Sequence, residues 1–310
     1  MELELAGSTF FYNWEVSLMV WLQAHMGTAG VWAASIFSLL GEELVIVGIL
    51  CFFYYCYDKD FGKYVARNVA VGCIINPMLK NLVLRRRPYM DHDEIKCLRP
   101  LDIDASIFDI SKQGYSFPSG HSTNGVAVYS SFVRYRKTRF FEVLAIVAPL
   151  LIGCSRVCLG MHYPTDVLVG WLLGVFTIFA VPYLQQKTPN LAVFYGILIV
   201  LTLPGFLYCK TTDYYSGVGL LVGMALADLF ETKYVNFENT RSPLFCVLRM
   251  AGGLIIFVGL NTLLKLPFSK DFLESSTIAA FSVRSLRYAI IIFIDLGLYP
   301  MLFKYEKKFK

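Results

Sequence analysis

Long and nearly uninterrupted apolar stretches recur along most of this chain, and they constrain its fold more than any other feature. A helix needs roughly 20 consecutive apolar residues to cross the hydrocarbon core of a bilayer. In that core, only helices and closed barrels satisfy all of their backbone hydrogen bonds. We therefore predict an all-α, polytopic membrane helical bundle with about nine transmembrane helices, at residues 42–57, 64–84, 119–134, 142–158, 163–182, 191–208, 215–231, 244–266 and 285–303.

The composition supports a membrane protein. Of the 310 residues, 56% are hydrophobic and only 16% are charged, whereas a soluble domain carries about 25% charged residues. The net charge of +5 comes from residues that flank apolar segments, so we expect no nucleic-acid partner. The N-terminal residues Met1–Leu5 contain no basic residue, and a cleaved signal peptide is not expected. Nothing in the sequence specifies an oligomeric state.

The cysteines carry no sign of a disulfide framework or a metal site. Seven of the 8 lie in or beside apolar runs, and only Cys97 lies in a polar loop. Small buried hydrophobic side chains are the simplest interpretation of such positions. No cluster of cysteine, histidine and carboxylate residues has the spacing of metal ligands, so we expect neither a metal nor another cofactor.

Residues 12–40 do not fit the pattern of regular spans. Glu15 and His25 interrupt the apolar run, and Met26-Gly27 divides it near its middle. The tyrosine and tryptophan residues of this stretch favour the headgroup level of a membrane. We expect two interfacial or re-entrant helices here, with one further span as the alternative.

A histidine and an aspartate stand four residues apart in the segment Ser155-Arg156-x5-His162-x3-Asp166. On a helix this spacing places both on one face, so the carboxylate can accept a hydrogen bond from one ring nitrogen of His162. That bond would fix the tautomer and aim the other nitrogen outward as a nucleophile. Arg156 supplies positive charge for a phosphate group. Without Arg156, a purely structural pair of His162 and Asp166 would be the simpler interpretation.

A second motif, Pro118-Ser119-Gly120-His121, opens one of the predicted spans. The start of a helix presents unpaired amides and partial positive charge, which favour phosphate oxygens. Gly120 lets the backbone approach a ligand, and the Ser119 hydroxyl can donate a hydrogen bond. A protonated His121 can donate its proton to a leaving oxygen. The alternative is a capped helix with an interfacial histidine.

The third motif, Lys80-x6-Arg87-Pro88, ends another predicted span. Seven residues separate Lys80 from Arg87, so both lie on one helical face if the helix continues that far. Arg87 can bind two phosphate oxygens as a fork, and Lys80 adds a compact charge. We interpret Arg85 and Arg86 as basic anchors whose charged ends extend to the membrane surface, outside the phosphate site.

Together the three motifs resemble the signature of the type 2 phosphatidic acid phosphatase superfamily, which is related to the vanadium haloperoxidases. The motif region covers residues 80–166, and no signature position departs from the pattern. The resemblance implies a six-helix phosphatase core within residues 42–182. Residues 1–41 would then form the N-terminal interfacial or re-entrant helices, and residues 183–310 additional C-terminal transmembrane helices.

The resemblance also implies a mechanism without metal. His162 would attack phosphorus to give a phosphohistidine, and Asp166 would orient it. His121 would protonate the leaving alcohol and then activate the water that hydrolyses the intermediate. The phosphoryl oxygens would be bound by Lys80, Arg87, Ser119, Gly120 and Arg156.

The substrate is less constrained, because these residues recognise only the phosphate. We favour a lipid phosphomonoester or pyrophosphate, with membrane lipids as the surroundings. Longer members of the superfamily include sphingosine-1-phosphate phosphatases and glucose-6-phosphatase, so a soluble sugar phosphate is the alternative. A lipid phosphotransferase would use the same histidine. A non-catalytic transporter would not need His121, His162 and Asp166 together.

Basic loops predict the orientation of the chain. The segment 134–139 holds four basic residues, and a second cluster lies in the C-terminal tail at Lys304, Lys307, Lys308 and Lys310. Positively charged connections favour the cytoplasm. Counting spans from either cluster, all three motifs fall on the opposite, extracytoplasmic face. Three further ionisable residues near spans receive no catalytic role: Asp228, Arg249 and Asp295.

Overall fold

The structure, a computed structural model, describes residues 7–308. The expectation about a signal peptide rests on Met1–Leu5, which lies outside these residues. Lys310, one of the basic residues used for the orientation, lies outside them as well. Within 7–308 the regular structure is helical, and the only β-type pairing is one isolated bridge between Ser8 and Arg85. The all-α class is therefore confirmed.

A helix occupies every stretch in which the sequence predicts a span. Several helices are extended at their C-terminal ends by a π or 3-10 segment. The α-helices are α1 (Asn13–Leu39), α2 (Glu43–Cys51), α3 (Lys59–Val83), α4 (Pro88–Asp91), α5 (Ile110–Gln113), α6 (Gly120–Gly125), α7 (Ser131–Tyr135), α8 (Arg139–Cys158), α9 (Pro164–Lys187), α10 (Leu191–Thr202), α11 (Thr212–Phe230), α12 (Pro243–Leu263), α13 (Lys270–Glu274) and α14 (Ile278–Ile292). The π segments are Phe52–Tyr57, Val126–Ser130, Glu231–Val235 and Phe293–Leu298, and the 3-10 segments are Leu203–Leu207 and Tyr299–Lys308.

Fewer helices than predicted meet a strict criterion for crossing a membrane. Within 7–308, α8, α9, α12 and the helix from Ile278 to Glu306 are long and apolar enough. A fifth span is possible if α1 and the helix Glu43–Tyr57, bent by 41°, count as one. The count of nine is not confirmed and stays a prediction. Four charged residues within the first nine positions of α3 and the short length of α10 account for two of the helices that fail the criterion.

The chain folds as two compact units. The first joins the residues up to Ile46 with Ile75–Phe179, and the second joins Val47–Ile74 with the residues from Ala180 onward. All residues of the three sequence motifs belong to the first unit. The division of the sequence at residues 41 and 182 rests on a different criterion and stays a prediction.

In the first unit, α1 packs along α8, and α6 with its π extension packs on α8 as well. The backbone of α1 leaves helical geometry at Gly27, where φ is 56°. The break expected at Met26-Gly27 is thus present, and the interfacial or re-entrant placement of residues 12–40 stays a prediction. A shared core lies beneath these helices, built from Met19, Ala34, Tyr89, Met90, Ile95, Val157, Leu159, Met161, Tyr163 and Val167.

Glycines let two helices of this unit meet closely. A β-carbon on Gly170 of α9 would come within 2.6 Å of the carbonyl oxygen of Ser119. One on Gly174 would come within 2.5 Å of Cβ of Val126. These glycines therefore serve packing within the chain, which brings the first turn of α9 against the first turn of α6.

The second unit contains the ionisable residues that received no catalytic role. Asp228 pairs with Arg67 and Lys63, and Arg249 forms a two-point ion pair with Glu306 at 2.7 and 2.8 Å. Oδ1 of Asp295 is buried without a hydrogen-bond partner among the described residues. The charges of Asp228 and Arg249 are thus compensated by their ion-pair partners. A cavity of about 240 Å³ in this unit, lined in part by Asn236, Thr240 and Arg249, contains no motif residue.

Candidate active site

The ends of four helices carry the motif residues of the first unit. Lys80 lies in the last turn of α3, and Arg156 in the last turn of α8. Ser119 is the N-cap of α6, and Asp166 lies in the first turn of α9. His162 occupies the short turn between α8 and α9. Residues that are 86 positions apart in the chain, from 80 to 166, thus meet at one end of the helices.

His162 lies at the centre of this group and is 2% exposed. Burial lowers the pKa of its ring well below the usual 6.5, and the positive charges of Arg87, Arg156 and Lys80 lower the pKa further. The charge of a protonated His121 also lowers the pKa of His162. The neutral form of His162 is therefore favoured, and a neutral imidazole is the form that acts as a nucleophile.

Arg87 is held rigidly against His162. Its Nε donates to the carbonyl oxygens of Gln113 at 2.9 Å and Gly114 at 3.1 Å, and its Nη1 donates to that of Met161 at 2.8 Å. The same Nη1 lies 3.4 Å from Nε2 of His162. An arginine can only donate, so Nε2 carries the lone pair and the ring proton sits on Nδ1.

Arg156 has unsatisfied donors beside the histidine. Its side chain is 1% exposed, and Nη1 donates to Oγ of Ser38 at 2.8 Å. Nε and Nη2 are buried and have no hydrogen-bond partner among the described residues. Leaving a buried N–H of a charged group without an acceptor costs free energy. This side of the guanidinium is therefore suited to an anion with two acceptor oxygens.

Asp166 does not form the hydrogen bond expected from the four-residue spacing. Its Oδ2 lies 3.5 Å from Nδ1 of His162, and that nitrogen has no hydrogen-bond partner. The same Oδ2 accepts from the backbone nitrogen of Tyr163 at 2.8 Å, and Oδ1 accepts from Nη1 of Arg85 at 2.6 Å. The carboxylate thus faces the ring, but these two donors hold it at a distance.

Arg85 corrects an interpretation made from the sequence. It is not an anchor at the membrane surface, because its side chain is 0% exposed and forms ion pairs with Glu15 and Asp166. Arg86 is also paired, with Asp91 at 2.7 Å. Sequence spacing missed Arg85 and Glu15 as neighbours of the site. A carboxylate within an apolar helix, as at Glu15, was the available signal, because such a group requires a partner.

Ser119 and Gly120 form the start of α6. Oγ of Ser119 accepts from the backbone nitrogen of Ser122 at 3.3 Å, as an N-cap does. The backbone nitrogen of Ser119 donates to the carbonyl oxygen of Asp166 at 2.9 Å, which ties α6 to α9. A β-carbon on Gly120 would have ordinary contact with Asn76 at 3.6 Å, so packing does not by itself require a glycine there.

Lys80 and His121 complete the group. Nζ of Lys80 donates to the carbonyl oxygen of Tyr115 at 3.0 Å. The His121 ring is half-buried and packs against Gly41, where a β-carbon would come within 3.2 Å of Cδ2. Within residues 7–308 no set of three or more histidine, cysteine or acidic side chains is arranged to hold a metal ion. The site thus combines a neutral histidine, a second histidine, a facing carboxylate and three cations.

Two family models match the chain. Residues 61–189 match the PAP2 superfamily, and residues 215–307 match the transmembrane extension of PAP2 superfamily phosphatases. The first match contains all three motifs. No solved structure matches the chain significantly.

Three characterised proteins share this similarity. Phosphatidylglycerophosphatase B of Bacillus subtilis is 30% identical over 160 residues, which cover 48% of this chain and 70% of the relative. An undecaprenyl-diphosphatase of Sulfolobus acidocaldarius is 27% identical over 42% of this chain and 58% of the relative. A lipid A 1-phosphatase of Rhizobium etli is 32% identical over 38% of this chain and 47% of the relative. The chain thus spans about half the length of the last two.

Proposed function

This chain belongs to the PAP2 superfamily and is a multi-pass membrane protein, and we propose that it hydrolyses a phosphomonoester or pyrophosphate of a lipid through a phosphohistidine on His162, without a metal. One observation carries the proposal. Two buried, unpaired donors of Arg156 lie in the group of cations around a neutral His162. A phosphate dianion supplies both the acceptor oxygens and the negative charge that these donors lack.

The first chemical step transfers the phosphoryl group to the protein. Nε2 of His162 attacks phosphorus, the bond to the lipid oxygen breaks, and His121 donates a proton to that oxygen. Arg87 and Arg156 bind the phosphoryl oxygens, and Lys80 adds charge that stabilises the transition state. At the start of α6, the hydroxyl of Ser119 and the backbone amide of Gly120 supply further donors.

The second step releases phosphate. His121, now neutral, accepts a proton from a water molecule that attacks phosphorus, and the bond to Nε2 of His162 breaks. The phosphorylated ring carries positive charge while Nδ1 keeps its proton. Asp166, which faces that nitrogen at 3.5 Å, stabilises this charge. All positive charge that the reaction needs comes from side chains, which is why we propose that the enzyme requires no metal.

A lipid substrate is supported by the relatives. The names of all three refer to lipid phosphates or pyrophosphates. We propose the same class here, reached from the membrane, with a soluble sugar phosphate or transfer to an alcohol as outcomes that the experiment below would reveal.

We further propose that the site faces away from the cytoplasm. His121 and Arg156 lie at one end of the paired helices Gly120–Tyr135 and α8, while the basic loop 134–139 joins the opposite ends. At 1.5 Å per residue, these helices separate the loop from the site by about 20–26 Å, most of the roughly 30 Å thickness of a bilayer core. The basic loop favours the cytoplasm. Nine spans, a six-helix core and a cytoplasmic C-terminus belong to the same proposal.

The test is phosphate release by the purified protein in detergent with excess EDTA. Phosphatidic acid, phosphatidylglycerophosphate, a polyprenyl pyrophosphate and glucose-6-phosphate would each be compared with the His162→Ala variant. We expect release from at least one lipid, absent in the variant. Release only from the sugar phosphate would overturn the substrate class, and a strict need for a divalent cation would overturn the metal-free mechanism. Phosphate appearing on an added alcohol would indicate a transferase.

A further inference from the structure

Glu15 lies outside the three motifs and Arg85 occupies an unspecified position of one of them, yet buried contacts connect Glu15 through Arg85 to Asp166. Nη1 of Arg85 lies 2.6 Å from Oδ1 of Asp166, and Nη2 lies 2.9 Å from Oε2 of Glu15. All three side chains are 0% exposed. Ion pairs that are fully removed from water persist only when geometry and further hydrogen bonds satisfy them, so the other partners matter.

Thr165 adds a second link between Glu15 and Arg85. Oε1 of Glu15 accepts from the backbone nitrogen of Thr165 at 3.0 Å and from its hydroxyl at 2.7 Å. The same hydroxyl accepts from Nη1 of Arg85 at 2.7 Å. Glu15 and Arg85 therefore hold the first turn of α9, which carries Asp166, at both its backbone and its side chains.

Arg85 is fixed by the segment that precedes α1. Its Nε donates to the carbonyl oxygen of Phe10 at 3.0 Å, and its guanidinium lies between the rings of Phe10 at 4.3 Å and Tyr163 at 3.9 Å. The backbone of Ser8 forms hydrogen bonds with both neighbours of Arg85: its nitrogen donates to the carbonyl oxygen of Leu84, and its carbonyl oxygen accepts from the nitrogen of Arg86. The guanidinium thus has one defined position.

The charges of the trio fit the needs of the reaction. Two carboxylates and one guanidinium leave a net charge of −1 behind His162. If Arg85 were paired with Asp166 alone, the positive charge of the guanidinium would cancel the negative charge of the carboxylate. Because Glu15 shares Arg85, negative charge remains to stabilise the cationic ring that forms when Nε2 is phosphorylated.

We propose that Glu15 and Arg85 are positioning residues, which set the orientation and the charge of Asp166 behind His162. The proposal rests on the proposed function, because it assigns the pair to the same phosphoryl-transfer site. It gives the N-terminal helix α1 a direct part in that site, although α1 contains no motif residue.

The test uses Glu15→Gln in the full-length protein, which keeps the shape of the side chain and removes its charge. We expect kcat to fall about tenfold or more with KM changed less than about threefold, because the interaction strengthens in the transition state. Orthovanadate bonds to the histidine nitrogen as a transferring phosphoryl group does, and it should bind to the variant about tenfold more weakly. The affinity for inorganic phosphate should change less than about threefold.

Control variants separate positioning from stability. Glu306→Gln breaks the buried ion pair with Arg249 in the second unit and should leave kcat and both oxyanion affinities unchanged. Thr165→Val removes only the linking hydroxyl, and it keeps the test available if Glu15→Gln does not fold. It should lower kcat about threefold. In a protein that already carries Arg85→Lys, adding Glu15→Gln should lower kcat little further, because Glu15 acts on Asp166 through Arg85.

Two results would overturn the proposal. One is a Glu15→Gln protein with a lowered thermal midpoint but wild-type kcat and vanadate affinity. The other is an equal loss of vanadate and phosphate binding, which indicates general damage. If the wild-type protein hydrolyses no substrate, the proposed function fails, and the comparison of vanadate with phosphate still decides the positioning role. Wild-type protein that binds neither oxyanion overturns both.

Discussion

Nη1 of Arg87 lies 3.4 Å from Nε2 of His162, and this relationship decides which ring nitrogen carries the lone pair. Arg87 cannot accept a proton from the ring, so the proton sits on Nδ1, on the side of Asp166. The same guanidinium contributes to the lowered pKa of His162. One buried arginine therefore selects the tautomer and favours the neutral nucleophile.

The first prediction concerns pH. The neutral ring is the nucleophile, and the pKa of His162 lies well below 6.5, so the ring should not limit kcat/KM near neutral pH, and the second ionisation of the substrate phosphate, at about pH 6, should set the acid limb of wild type. Lys80→Met removes one of the positive charges that lower this pKa. The acid limb of the profile should then move up toward 6.5, whatever the loss in absolute rate.

Profiles of kcat/KM on one substrate, for wild type and variant, check this shift, since the titration of the substrate is common to both. Lys270→Met is the matched control, because the Lys270 side chain is 87% exposed in the second unit. Its profile should match wild type. Identical acid limbs for wild type and Lys80→Met would refute the electrostatic account.

The second prediction concerns the fork of Arg156. Arg156→Lys keeps a positive charge but cannot offer two parallel donors. We therefore expect kcat/KM to fall about 100-fold, which corresponds to the loss of one or two charge-assisted hydrogen bonds of about 1.5–3 kcal/mol each. Steady-state kinetics measure the loss. Arg99→Lys, at a partly exposed ion pair with Glu42, should change kcat/KM less than about threefold. Equal losses in both variants would argue against anion binding by Arg156.

The third prediction concerns the turn before His162. Gly160 has φ of 77°, and a β-carbon there would run into the carbonyl group of Lys96. Gly160→Ala should destabilise the protein by about 2 kcal/mol or more, from backbone strain and the clash, and should lower kcat by displacing His162.

Thermal midpoints in detergent and kcat check this effect. Gly196→Ala in α10 is the control, because a β-carbon there meets nothing within 4 Å. It should be neutral or stabilising by up to about 1 kcal/mol. A tolerated alanine at 160 would show that the turn is less constrained than its contacts indicate.

Much of the fold follows from the sequence because apolar length and helical periodicity are local properties. Each predicted span contains a helix, and the break within α1 falls at Gly27, between the two helices expected there. The number of membrane crossings follows less directly, since α3 is long but carries many charges. Length alone cannot decide whether such a helix crosses a membrane or ends in a polar region.

The residues expected at the site lie together, because spacing and helix ends already restrict where they can face. Spacing could not reveal Glu15 and Arg85, which are 70 residues apart and meet only through tertiary packing. It also predicted a hydrogen bond between His162 and Asp166 that the structure does not contain. A four-residue spacing aligns two side chains but does not exclude stronger donors such as Arg85.

The most direct test of the account is to trap the phosphorylated protein. Wild type and His121→Ala would be mixed with a labelled lipid phosphate in EDTA, quenched in base, and mapped by mass spectrometry. We expect a phosphoramidate on His162 that is stable to base and labile to acid. With a lipid pyrophosphate, whose phosphate leaving group needs no proton from His121, it should accumulate in His121→Ala because hydrolysis of the intermediate lacks its base. We expect no label in His162→Ala. A label on another residue, or turnover by His162→Ala, would contradict the account.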